Sequence, residues 1–322
     1  MLQSAPASIG AVGGRRGLLN NIILLLACFG LGIVLRASGR LPESAPSALN
    51  GFVVNVSLPA LTLVTVHGLK LEPQLAFAAF MPWLLFALGV GFFWLVGRLL
   101  GLSRATTGAL MLTGSLANTS FIGLPMIETW YGAQYLGIGI VVDQLGSYMV
   151  LSTLGIVLAG LCAARGARFD AKALARKVFS FAPFVSLLVA LVLMPLAYPE
   201  WLEVLLRRLG GTLVPLALVS VGFQLRLSQI RGRLRVLAIG LGFKLVLGPL
   251  LVLAVLAGML GQRGPVIQVT VFEAAMGPMI GAAIVAMDHD LDPSLVTLMV
   301  GLGIPLSFAV LPGWWWLLQA VG

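Results

Sequence analysis

Apolar residues along this chain do not alternate with polar ones; they run. Stretches of Leu, Val, Ala, Gly and Phe follow one another, and most of the Arg, Lys, Asp and Glu fall in the short gaps between them. An α-helix rises 1.5 Å per residue, so about 20 consecutive apolar residues cross the hydrocarbon of a bilayer. The pattern predicts spans near 18–36, 47–66, 75–100, 106–127, 134–162, 178–198, 204–225, 234–260, 266–287 and 294–319. Two of them are interrupted. The fourth contains Asn118-Thr119-Ser120-Phe121-Ile122-Gly123-Leu124-Pro125, and the ninth contains Gly277-Pro278-Met279. Lipid offers no hydrogen bonds, so helix-breaking backbone at this depth persists only where protein or a water-filled cavity satisfies it.

Composition agrees with the pattern. The chain has 322 residues, 59% hydrophobic and 10% charged, with a mean hydropathy of +1.05. A globular domain carries about 25% charged residues, so a soluble protein this apolar would be unable to cover its own surface. The net charge of +9 raises the question of nucleic acid. The basic residues sit between apolar runs rather than along an exposed stripe, so the expected partner is the lipid bilayer and not nucleic acid. Residues 1–17 are too polar for the apolar core of a signal peptide. Cys28 and Cys162 both lie in apolar runs and read as buried thiols.

Basic residues also set the orientation. Counted over the ten spans, thirteen of the twenty Arg and Lys fall in the odd-numbered connections and six in the even connections and termini; Lys244 alone lies inside a span. The positive-inside rule then places the odd connections in the cytoplasm and both termini outside. The fifth connection, with Arg165, Arg168, Lys172, Arg176 and Lys177, decides the count and marks the midpoint.

That midpoint divides the molecule into 1–164, a basic cytoplasmic linker at 165–177, and 178–322. With five spans in each part, equivalent helices run in opposite directions. The prolines support this: Pro59 in span two matches Pro215 in span seven, and Pro125 in span four matches Pro278 in span nine, at separations of sixty-six and sixty-three residues. Interrupted helices at matching places in two halves are the best sequence pointer to a transporter's binding site. The expected fold is an all-α integral membrane protein of ten transmembrane helices, built as two inverted five-helix repeats with helices four and nine broken.

Proline suits the first turn of a helix, where its missing N–H costs nothing. If Pro125 and Pro278 each restart a helix, two helix N-termini meet near the membrane centre, each with unpaired N–H groups and about half a positive charge. Such a place suits a carboxylate. Asn118, Thr119 and Ser120, with Asn55, Gly123 and Met279, complete the expected substrate-binding set; Asn118 reads equally as a polar residue cementing helix packing. Ionisable residues inside a membrane are functional candidates by default. Asp143, about 15 Å into span five, with Gln144 beside it, is the first candidate for binding a proton or cation. Glu273, five residues before Pro278, is the second. Lys244 either neutralises an anion or snorkels to the surface. No metal site is expected: Asp288, His289, Asp290 and Asp292 alternate acid and histidine but read as a solvated loop. The chain carries no His-Glu-x-x-His pattern or P-loop, so an enzyme is not expected.

These motifs resemble the auxin efflux carrier family, especially its bacterial permease branch. Asn118 to Pro125 followed by Tyr131-Gly132 is similar to its Asn-Thr-x-x-x-Gly-(Ile/Leu)-Pro and Tyr-Gly pattern, and Asn55-Val56-Ser57-Leu58-Pro59-Ala60 to its early signature. Asp143-Gln144, Lys244-Leu245 with Pro249, and Ala274-Ala275-Met276-Gly277-Pro278 also fit, the last with an inserted Gly277. The resemblance implies a fold shared with bile-acid sodium symporters and sodium/proton antiporters. It implies a scaffold of helices one, two, six and seven, and a transport core of the rest that moves against it in an elevator motion. A homodimer, a bacterial inner-membrane location and an organic carboxylate substrate are implied in the same way. The expected function is secondary active transport of a small organic carboxylate without a bound cofactor, H+ or Na+ being the candidate coupling ions. A sodium/proton antiporter without organic substrate is the alternative.

Overall fold

The computed structural model describes residues 15–67, 69, 72–163, 176, 179–224 and 233–321. The expected linker at 165–177 lies outside the described residues apart from Arg176. Among the described residues the chain is helical throughout, its one β-type contact being an isolated antiparallel bridge. The helices are α1 (Arg15–Ala37), α2 (Ala45–His67), α3 (Leu75–Leu100), α4 (Arg104–Ser115), α5 (119–130), α6 (Ala133–Cys162), α7 (Ala182–Leu193), α8 (Glu200–Gln224), α9 (Leu234–Met259), α10 (Pro265–Ala274), α11 (Ile280–Asp288) and α12 (Pro293–Val321). Six of them, α2, α3, α6, α8, α9 and α12, are long and apolar enough to cross a membrane. The chain is therefore an integral membrane protein.

Packing follows from small residues and aromatic plugs. The second half of α8 lies along α1, and α7 lies along the second half of α2. At the α1–α8 contact a Cβ on Gly32 would overlap Val219 O and come within 2.7 Å of Phe223 N, and one on Gly222 would overlap Phe29 O. Only glycine lets two backbones approach this closely. Elsewhere large side chains fill the space: Phe93 packs edge-on to Phe243 at 5.0 Å, under Phe92 stacked on the same ring at 4.7 Å.

Prolines inside the helices leave carbonyls without their usual partner four residues on. Pro249 cannot donate to Leu245 O; the indole of Trp314 donates to it instead, at 2.8 Å. Trp314 is buried, so the Trp314-Trp315-Trp316 run is not a uniform interfacial belt, and Trp316 alone is strongly exposed. The segments 142–147 and 243–247 widen into π-helical turns, a distortion frequent at functional sites. Asp143 and Lys244 sit in them.

The connections gather on two sides. Arg233 before α9 pairs with Asp292 before α12, which also accepts from Thr106 at the start of α4. Arg104 donates to Leu161 O near the end of α6. On the opposite side Gln74 before α3 donates to Arg263 O before α10, and Arg263 donates to Val321 O at the end of α12.

Candidate functional site

The fourth and ninth apolar runs are both broken, and the breaks touch. α4 stops at Ser115 because Leu116 turns extended, and the chain stays out of helix until Asn118. α10 stops at Ala274, and 275–279 is irregular until α11 starts at Ile280. The two unwound stretches run antiparallel, Ala117 opposite Pro278. Asn118 N donates to Gly277 O at 2.9 Å and Met279 N to Leu116 O at 3.0 Å. Each break thus supplies the hydrogen bonds the other lacks, as buried irregular backbone requires. Gly277, the inserted residue, keeps this contact loose: a Cβ there would lie 3.1 Å from Ile304 Cα on α12, a tight approach.

The restart of the fourth run is not at Pro125. Helix resumes at Thr119 with Asn118 as its cap, the side-chain oxygen accepting from Phe121 N at 3.2 Å. Asn is among the best N-caps, and it stands seven residues ahead of the proline. Pro125 sits inside α5, after a π-helical turn at 119–123. Pro278 does lie in its break, two residues before α11 begins. It also explains a neighbour. A proline at 278 leaves Ala274 O without a backbone donor, and Lys244 Nζ donates to that oxygen at 2.7 Å. Lys244 is fully buried, so it does not snorkel. It caps the negative end of α10.

Asp143 holds the opposite kind of terminus. It is buried, and its Oδ1 accepts from Thr119 Oγ1 at 2.6 Å and Ser120 Oγ at 2.5 Å, the first two residues of α5. The helix N-terminus that the sequence offers to a substrate carboxylate is therefore met by the protein's own. α11 keeps its N-terminus uncapped by any side chain. Gln144 donates to Thr62 Oγ1 on α2 at 2.9 Å, joining α6 to α2. Glu273 lies inside α10, fully buried, with neither carboxyl oxygen hydrogen bonded. Gly123 has no room for a side chain because Glu273 Oε2 occupies the space.

Further buried polar atoms have no partner: Asn118 Nδ2, Gln144 Oε1, Ser147 Oγ and Ser115 Oγ. Such atoms are rare in folded proteins and call for an explanation each. Ser115 and Thr62 carried no sequence signal beyond being small polar residues in apolar runs. Asn55 does not join this group. It is exposed, and its amide donates to Gly51 O in its own helix.

A cavity of about 900 Å³ opens between α1, α2 and α8 on one wall and α11 and α12 on the other, lined by Arg36, Glu43, Asn50, Gln224, Ile280 and Ile284 among others. Ser220 donates to Asn50 Oδ1 at 2.5 Å and accepts from Gln224 at 3.1 Å, making a polar cluster in the wall of α8. The cavity reaches the first residue of α11 and none of the expected site residues lines it. Among the described residues no group of three or more His, Cys, Asp and Glu is placed to hold a metal ion.

A family model described as membrane transport protein matches residues 19–315. A protein of Methanothermobacter thermautotrophicus described as an uncharacterized transporter is 28% identical over 94% of this chain and 98% of its own length. A second uncharacterized transporter, from Methanocaldococcus jannaschii, is 22% identical over 92% of this chain and 97% of its own length.

Proposed function

Because the chain belongs to the membrane transport protein family, the auxin efflux carriers, we propose that it is a secondary active transporter of a small organic carboxylate. The observation that carries this reading is the pair of broken helices bound to each other, with the donor Asn118 Nδ2 buried and unpaired beside them. A site built to receive an acceptor leaves a donor waiting for it. In this reading ten crossings form two inverted halves, the unit of α3–α6 and α9–α12 moves against α1, α2, α7 and α8, and the 900 Å³ cavity is the path from the cytoplasmic side. Both termini lie outside, and the location is the plasma membrane. The pairing of α1 with α8 and of α7 with α2 is what an exchange of equivalent helices between inverted halves would produce. Transport, not catalysis, is the activity, and the uncapped start of α11 is the place for the carboxylate.

The test is flux into proteoliposomes, screened over mono- and dicarboxylates. Asn118→Ala and Asp143→Asn each abolish uptake while the protein still elutes as a folded species. Normal uptake in both variants removes the assignment. A second reading, sodium/proton exchange without organic substrate, is favoured by the two buried carboxylates, Asp143 and Glu273. It predicts cation exchange indifferent to added carboxylates.

A further inference from the structure

Three buried ionisable side chains converge on the crossing from three different helices: Asp143 of α6, Lys244 of α9 and Glu273 of α10, each at most 1% exposed. Asp143 and Lys244 are the charges that act on Glu273. Fully ionised, the trio carries one net negative charge on side chains that are almost wholly buried, and an uncompensated buried charge costs several kcal/mol. One proton makes the trio neutral.

The hydrogen bonds say which carboxyl takes it. Asp143 accepts from two hydroxyls and faces the positive end of α5, the surroundings that suit a carboxylate. Lys244 donates to Ala274 O, the carbonyl of the residue next to Glu273, and not to the Glu273 carboxyl. Glu273 receives no donor at all. Its oxygens face carbon instead: a Cβ added at Gly123 would overlap Oε2, and one at Gly139 would lie 3.3 Å from Oε1. The divalent cations Ca2+ and Mg2+ take six or more oxygens, and the glycines at 123 and 139 put no side-chain oxygen beside this carboxyl. A proton needs no ligand shell.

We propose that Glu273 is a proton-binding site, occupied in the conformation described here, with Asp143 and Lys244 as the two opposite charges that balance each other around it. Tyr131, whose ring packs on Phe272 at 5.2 Å, is a further titratable group beside α10, and Arg263 stands just before that helix. That this proton is exchanged in the transport cycle rests on the transport reading above; that it is present does not. In the cycle the Glu273 O–H bond breaks when the site opens to water on one side, the proton leaves to solvent, and the acid is re-formed from the other.

Infrared spectroscopy of the purified protein at slightly alkaline pH tests this without a substrate. The expected result is a carbonyl stretch of a protonated carboxylic acid that shifts on labelling with carboxyl-13C glutamate, disappears in Glu273→Gln and persists in Glu128→Gln, a half-buried control. If Glu273→Gln does not fold, the isotope shift in the wild type still decides whether a glutamate carries the proton. No protonated-acid band in the wild type overturns the proposal, as does a band insensitive to glutamate labelling or one surviving Glu273→Gln. In proteoliposomes a second arm tests the coupling: carboxylate uptake by the wild type responds to an imposed pH gradient, and any transport that still follows the gradient in Glu273→Gln overturns the coupling. Failure of all carboxylate transport sinks the functional reading and leaves the infrared result standing.

Discussion

Two places in this molecule press backbone against backbone. Between α1 and α8, Gly32 and Gly222 let the two backbones approach with no side chain between them at those positions. Both helices run unbroken there, so each satisfies its own backbone bonds and the contact is dry packing. At the crossing, Gly277 and Gly303 achieve a similar approach of 275–279 to α12, but both crossing helices are interrupted. Around them Ser115, Asn118, Gln144, Ser147 and Glu273 keep polar atoms without partners. Close approach by glycine is common to both places and distinguishes nothing. The unpaired buried polar atoms do: each is a cost that a folded protein ordinarily avoids.

The sharpest break between the two is a side chain at Gly32. Gly32→Leu forces apart two backbones that have no rotamer to yield, so the cost lies at or above the upper end of the usual overpacking range, about 3 kcal/mol. The expected outcome is loss of the monodisperse species in detergent and a large fall in melting temperature. Gly123→Ala is milder in stability and harsher in function. Its Cβ meets the tip of Glu273, a side chain with bonds to rotate, so the cost is about 1–2 kcal/mol. The variant folds, and uptake is lost because the Glu273 carboxyl is displaced. Equal losses of stability in the two variants would erase the distinction.

Much of this was legible in the sequence, for reasons that explain the rest. Hydrophobic runs located the six helices long enough to cross a membrane, because the bilayer sets their length; α3, expected at 75–100, spans Leu75–Leu100. Proline and glycine marked both breaks. What single residues do not reveal is who meets whom. Pro125 looked like a helix start, yet Asn118 took that role because capping by a side-chain oxygen settles the start seven residues earlier. Asp143 looked free to serve a guest, yet Thr119 and Ser120 hold it. Lys244 was poised between two readings, and the carbonyl released by Pro278 decided between them. Asn55 fits the family's motif but is exposed.

The tryptophan run offers a test of intermediate size. Trp314→Phe keeps the ring volume in part but removes the donor to Leu245 O, leaving a buried carbonyl that Pro249 already deprives of its backbone partner. An orphaned buried acceptor costs about 1–3 kcal/mol. Trp316→Phe, on an exposed side chain, changes stability by less than about 0.5 kcal/mol. Thermal unfolding of the two variants side by side measures the difference, and equal stabilities would mean that the indole bond contributes nothing.

The smallest effect belongs to neither region but to the connections that tie α4, α9 and α12 together. Burial raises the affinity of Asp292 for a proton, but the bonds from Arg233, from Thr106 Oγ1 and from Leu295 N outweigh it and hold the carboxyl below its usual range. Arg233 Nη1 reaches both carboxyl oxygens at 2.6 Å, and Thr106 donates at 2.8 Å. A carboxyl depressed on folding contributes stability that is complete above about pH 5 and is lost as pH falls through the ordinary aspartate value of about 3.9 and below. Arg233 is partly exposed, so the contribution is that of a screened surface pair, under about 1 kcal/mol. Asp292→Asn should lower the melting temperature slightly at neutral pH and flatten its fall in mild acid, while carboxylate uptake at neutral pH continues. An unchanged acid limb in the variant would mean that the acid sensitivity originates at other carboxylates and not in this tie between connections.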